Sequence, residues 1–186
     1  RTERAGLDVG TSRAARQRVL QNKVKSQESY FKLSTHPTNT ISVQGIKGIL
    51  QDWERDGWHP DVVVVDYADI LAPLDGRKDH RHQINETWAA LRSLSQVYHC
   101  LVVTATQTDA ASYDARTLSR KHFSEDKRKR SHVTGSLGIN QTVQEKQQGL
   151  YRLNWLILRG GDFSEWYCLH TAGCLAVGNP CVLSAG

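Results

Sequence analysis

The chain has 186 residues, of which 39% are apolar and 23% charged, the balance of an ordinary globular protein with length enough for one domain and a sizeable core. No apolar run approaches the roughly 20 residues that cross a bilayer, and no signal-peptide pattern is visible, so a helical membrane protein is excluded. The formal net charge is +5, and it is concentrated: seven basic residues lie between Arg116 and Arg130, against Glu125 and Asp126.

In chain order, residues 1–28 are polar and basic, with Ala14, Ala15, Val19, Leu20 and Val24 spaced for a helix that begins near Thr11 or Ser12. They form a basic helical N-terminal segment, with residues 29–186 as the main domain. Tyr30 to Leu33 reads as a short strand. Ser42 is placed to N-cap a helix carrying Val43, Ile46, Ile49, Leu50 and Trp53 on one face, ended by Gly57. After Pro60 comes Asp61-Val62-Val63-Val64-Val65-Asp66-Tyr67. Four successive β-branched residues, apolar on both faces and too few for a helix, predict a central buried parallel strand. Asp66 closes it at the carboxyl end, where open α/β sheets place their ligand crevice. Asp69 is expected to cap the next turn.

Asp79-His80-Arg81-His82 is read as the exposed entry to a helix rather than a metal site. Ile84, Trp88, Leu91, Leu94 and Tyr98 then recur at helical spacing, and Leu101-Val102-Val103-Thr104-Ala105-Thr106-Gln107-Thr108 forms a second apolar strand. Strand, helix and strand make a right-handed parallel βαβ unit, which sets Asp66 beside Gln107 on one crevice. Residues 109–132 lack any sustained apolar period, and a stretch of that length in a compact domain is commonly functional. Residues 133–142 are small, polar and turn-rich. Leu150 to Arg159 predicts a strand, Gly160-Gly161 a tight hairpin turn, Phe163 to Leu169 its partner, and Cys181 to Leu183 a last strand after Asn179-Pro180. Cys100, Cys168, Cys174 and Cys181 lack the paired spacing of a zinc site and read as reduced thiols.

An apolar strand ending Asp-Tyr, followed by a strand ending in Gln, resembles the RecA-like ATPase core of DnaB-type, phage-like replicative helicases. The resemblance covers roughly residues 30–183. It implies an α/β fold with a mostly parallel sheet flanked by helices and a C-terminal β-hairpin. It also implies ATP and Mg²⁺ as cofactors, single-stranded DNA as partner, a self-associated hexameric ring, and a cytoplasmic location in a bacterial or phage-infected cell. Asp66 is then the carboxylate that holds Mg²⁺, directly or through water, Thr106 a neighbour on the nucleotide crevice, and Gln107 the residue that reports the γ-phosphate. Arg159, before Gly160-Gly161, matches the arginine that reaches a neighbouring subunit's nucleotide, although Ile157 stands where the family has a lysine. Arg116, Arg120, Lys121, Lys127, Arg128, Lys129 and Arg130 form the DNA-binding set. Phe123 is the one aromatic among them, so phosphates rather than bases are their expected targets.

No GxxxxGK[ST] occurs in the chain, which contains no methionine and opens on Arg1. The expectation is therefore an ATPase core whose phosphate-binding loop lies upstream, inactive by itself; Glu3 is not assigned as the catalytic glutamate. Two alternatives stay open: a recombinase- or clock-type RecA-fold ATPase without unwinding activity, and a non-enzymatic module that binds DNA or ring partners.

Overall fold

The structure, a computed structural model, describes residues 30–76, 79–109, 112, 115–122, 128–174 and 179–185. The expected N-terminal helix, Glu3, Phe123 and Lys127 lie outside these residues. The chain divides into two compact units, Arg1–His36 and Pro37–Gly186. In the first, Tyr30 to Leu33 is exposed and joins no strand ladder, so the expected strand there is absent: a four-residue apolar run without a pairing neighbour has no ladder to enter.

The second unit begins with helix α1, Val43–Arg55, whose N-cap Ser42 accepts a hydrogen bond from the Gly45 amide. The helix ends one residue before Gly57, whose φ of 80° suits glycine. Strand β1, Val62–Val65, helix α2, His80–Val97, and strand β2, Leu101–Thr104, follow. β1 and β2 pair in parallel with Val62 opposite Leu101 and Val65 opposite Thr104, which is the predicted βαβ unit. Asp79 caps α2 through the Arg81 amide. Val43 and Leu50 of α1, Ile84, Trp88, Leu91 and Leu94 of α2, and Val65 and Cys100 form one buried cluster. Burial pushes the Cys100 thiol pKa up, which keeps it protonated.

The β1–β2 pair departs from the sequence reading in one respect. Val63, Val65 and Val102 turn toward the helices, but Val62, Val64, Leu101 and Val103 are exposed, Val64 to 70%. The strand predicted to be covered on both faces is covered on one, because α1 and α2 lie on the same side of the pair.

The remaining strands are β3, Gly135–Asn140, β4, Leu150–Leu158, β5, Cys168–Cys174, and β6, Asn179–Ala185. They form an antiparallel sheet in the order β3-β4-β5-β6. Two short helices join this region, α3, Lys129–His132, and α4, Val143–Gln147. The expected C-terminal hairpin is thus part of a four-stranded sheet. Its partner strand is Cys168–Cys174 rather than Phe163–Leu169: Asn154 pairs with Cys168, so residues 159–167 form a long connection, not a tight turn. Residues 135–140 are strand rather than loop. Among the described residues no helix is long and apolar enough to cross a membrane, and no group of His, Cys, Asp and Glu is placed to hold a metal ion.

Candidate functional site

The parallel register fixes the carboxyl edge of β1 and β2. Thr104 ends β2 with its Oγ1 donating to the Val65 carbonyl at 2.8 Å and accepting from the Ala68 amide at 2.9 Å. That hydroxyl holds the chain as it leaves β1, so Asp66 and Tyr67 emerge beside the segment that carries Gln107. Asp66 is exposed, and among the described residues its carboxylate has no hydrogen-bond or ion-pair partner. Gln107 is also exposed, with Nε2 donating to the Tyr67 hydroxyl at 3.4 Å. An unpartnered exposed carboxylate at this edge fits a hard divalent cation, whose ligands are oxygens.

Asp69 does not cap the turn. Its Oδ2 accepts from the Thr106 hydroxyl at 2.6 Å, and its Oδ1 accepts from Lys129 Nζ at 2.8 Å and from Trp88 Nε1 at 3.4 Å. Lys129 Nζ also donates to Thr106 Oγ1 at 3.0 Å and lies 5.7 Å from the Trp88 ring centroid. Lys129 is 1% exposed. A buried ammonium with these partners cannot reach a nucleic acid, so Lys129 leaves the DNA-binding set. Thr106, assigned to the nucleotide crevice, has its hydroxyl committed to Asp69 and Lys129. A cavity of about 290 Å³ beside this cluster is lined by Thr38, Asn39, Asp69, His80, Gln83 and Trp88 among others. Neither Asp66 nor Gln107 lines it.

Of the other basic residues, Arg116, Arg120 and Lys121 are exposed, and Arg128 and Arg130 are half-buried. Arg130 Nη1 donates to the Arg120 carbonyl at 3.2 Å, which folds the two ends of the basic segment together. Arg159 is held away from Asp66's edge by the sheet: its amide donates to the Thr134 carbonyl at 2.8 Å and its Nη2 to the Ser131 carbonyl at 2.8 Å. Asp66, Gln107 and Thr106 are therefore brought to one edge, while Arg159 lies on the turn after β4, next to the end of α3.

The sequence reading missed a second polar cluster. Buried Arg152 on β4 makes a two-pronged pair with Glu145, Nε to Oε1 at 2.6 Å and Nη2 to Oε2 at 3.3 Å, and it donates to the Arg116 carbonyl at 2.8 Å. The Arg152 guanidinium, with the Thr142 amide, holds the Glu145 carboxyl down at about 2. Asn140 and Asn154 bond to each other at 2.9 Å and clamp Leu118, whose amide donates to Asn140 Oδ1 and whose carbonyl accepts from Asn154 Nδ2. One signal was present: Thr142-x-x-Glu145 is a capping box. Nothing in the spacing of the two asparagines announces that they face each other across β3 and β4.

No protein-family model matches the chain, and no curated protein does. Solved structures do. An ATPase domain of the DnaB-like helicase class superposes with a TM-score of 0.67 at 14% identity, over 77% of this chain and 52% of its own length. A DnaB-like replicative helicase, described together with its interactions with primase, superposes with a TM-score of 0.62 at 13% identity, over 72% of this chain and 34% of its own. At such identities the likeness shows the fold: an α/β, RecA-like helicase-domain architecture with a parallel sheet flanked by helices. The chain spans about half the length of the first structure and about a third of the second.

Proposed function

We propose that the chain is the ATPase core of a DnaB-type, ring-forming helicase that couples ATP hydrolysis to movement on single-stranded DNA. The observation that carries this reading is the shared carboxyl edge of β1 and β2, which presents Asp66 and Gln107 side by side. The fold likeness to helicase ATPase domains supports it. In this role Asp66 orients a Mg²⁺ ion, which neutralises phosphate charge when bound. Gln107 points an amide into the same crevice, where it can donate to a γ-phosphate or orient a water. The backbone donors that cradle phosphates are not among these residues, since no GxxxxGK[ST] occurs. Turnover therefore needs a protein that supplies such a loop. Arg159 would act in the site of a neighbouring subunit, and the exposed basic residues would meet the DNA backbone.

The test uses a protein that joins this core to a phosphate-binding loop. Asp66→Asn is nearly isosteric and removes the charge that orients the metal, so steady-state ATPase should fall by about a hundredfold or more with the melting curve unchanged. Turnover within about threefold of the parent would take Asp66 out of the metal role.

A further inference from the structure

The basic segment by itself offers charge without aromatic faces, yet the fold brings aromatics to it from far along the chain. Asn154 is 2% exposed, and its Nδ2 donates to two carbonyls at once, Leu118 at 2.9 Å and Glu165 at 2.8 Å. One buried amide thus ties the start of the basic segment to the connection between β4 and β5. Arg120 completes the tie: its Nε pairs with the Glu165 carboxylate, and its guanidinium lies over the Phe163 ring, 5.9 Å from the centroid. The residues after Glu165 are Trp166 and Tyr167, each 78% exposed. A turn sets them there, with the Trp166 amide donating to Ser164 Oγ and the Tyr167 amide to the Ser164 carbonyl, both at 3.3 Å. Two successive large rings held open to water by a turn, with no apolar contact to hide them, need a reason.

We infer that Trp166 and Tyr167 form a base-stacking platform for single-stranded nucleic acid, continuous with the phosphate-binding surface of Arg120, Lys121 and Arg130. This deepens the proposed function and rests on its DNA-binding part. Indole and phenol rings stack on any base, so they add affinity without reading sequence. The charge around them favours this occupant over an apolar protein surface. Exposed Arg120 and Lys121 lie on the segment tied to this turn, and Arg130 is bonded to the Arg120 carbonyl. Of the acids nearby, Glu165 is already paired with Arg120 and Asp162 alone is exposed without such a pair. Phosphates would meet the cations while the neighbouring bases turn onto the rings.

The experiment measures anisotropy of this chain, as it stands, with a fluorescent oligothymidine of about 20 nucleotides and with an abasic strand of equal length and charge. The parent should bind the base-bearing strand about tenfold or more tightly than the abasic one. Trp166→Ala with Tyr167→Ala should erase that preference and leave the salt slope unchanged, and Trp166→Phe with Tyr167→Phe should restore most of it. Preference for bases retained by the alanine pair, with its melting curve unchanged, overturns the platform. So does a concentration-dependent dimer in sedimentation that the alanine pair abolishes while base preference persists, since the rings then serve a second copy. Failure of the parent to bind either strand at low salt sinks the DNA-binding reading itself, and the platform with it. Binding of both strands equally by the parent sinks the platform alone.

Discussion

Asp69 and Lys129 show how burial changes what a charged residue does. Lys129 is 1% exposed and the Asp69 side chain 20%, so the two are not equal partners. Removing the carboxylate strands a buried ammonium; removing the ammonium leaves a carboxylate that still accepts from Thr106 and Trp88 and touches water. Breaking a buried pair costs about 3–5 kcal/mol when a charge is left uncompensated. Asp69→Ala should therefore lower unfolding stability by about that amount in urea titrations, and Lys129→Met by about 1–2 kcal/mol. The reverse order would show that the ammonium finds water on its own. Glu145 gives a pH-dependent counterpart. Its pKa is lowered from 4.5 to about 2, first by the Arg152 side chain. A carboxyl depressed on folding stabilises the native state above its unfolded value, and that contribution is lost as pH falls through the folded one. Stability should thus decline between about pH 4.5 and 2, by about 1–2 kcal/mol from this pair. Glu145→Gln should flatten that part of the acid titration, as followed by equilibrium unfolding at stepped pH.

At the scale of elements, what was legible in the sequence had one driving pattern and what was not had two in conflict. The runs Val62–Val65 and Leu101–Thr104 are β-branched and apolar, and the helices between and before them carry caps and a 3.6-residue stripe; local preference and packing agree there. The exposed faces of Val64 and Val103 were not legible, because a strand says that it is apolar and not what covers it. β3 was missed because Gly135-Ser136-Leu137-Gly138-Ile139-Asn140 has poor strand propensity. Its reason is contact: a Cβ on Gly138 would lie 2.6 Å from Asn154 Oδ1 and 3.2 Å from Leu118 Cβ, so the strand needs glycine where the basic segment crosses it. The Gly160-Gly161 pair suggested a tight hairpin, but Asn154 takes the Glu165 carbonyl and holds the connection open. Of the site, the Asp66–Gln107 edge was legible from two strand ends. Lys129 was not, since nothing in Lys127-Arg128-Lys129-Arg130 marks which cation turns inward. The distinction is measurable. Lys121→Gln, Lys127→Gln and Arg128→Gln together should reduce the salt dependence of single-stranded DNA binding by about 2 in log–log slope, near 0.7 for each phosphate neutralised. Lys129→Met should leave it unchanged. An equal loss from Lys129→Met would return that residue to the DNA surface.

For the whole molecule, the proposed ring makes each nucleotide site a shared one. Asp66 lies at the sheet's carboxyl edge, while Arg159 lies on the turn after β4, where its guanidinium meets only the Ser131 carbonyl among the described residues. A heterologous ring interface joins different surfaces of successive copies, so Asp66 of one copy and Arg159 of the next would meet at one γ-phosphate. An arginine there stabilises charge that develops on the transferred phosphoryl oxygens. In a protein that carries the phosphate-binding loop, Asp66→Asn and Arg159→Ala should each be inactive as pure rings. Mixed rings contain some interfaces that pair an intact Asp66 with an intact Arg159, so an equal mixture should regain about a quarter of parental ATPase if interfaces act independently. The fraction should rise and fall with the mixing ratio. Two variants that both assemble, by sedimentation, yet show no activity at any ratio would make Arg159 an ordinary turn residue whose role ends at the Ser131 carbonyl. Ile157, in the place of the family's lysine, bears on the same measurement: Ile157→Lys should raise parental turnover if the interface lacks a cation, and should not rescue Arg159→Ala, because a lysine's point charge cannot reproduce a guanidinium's fork of donors.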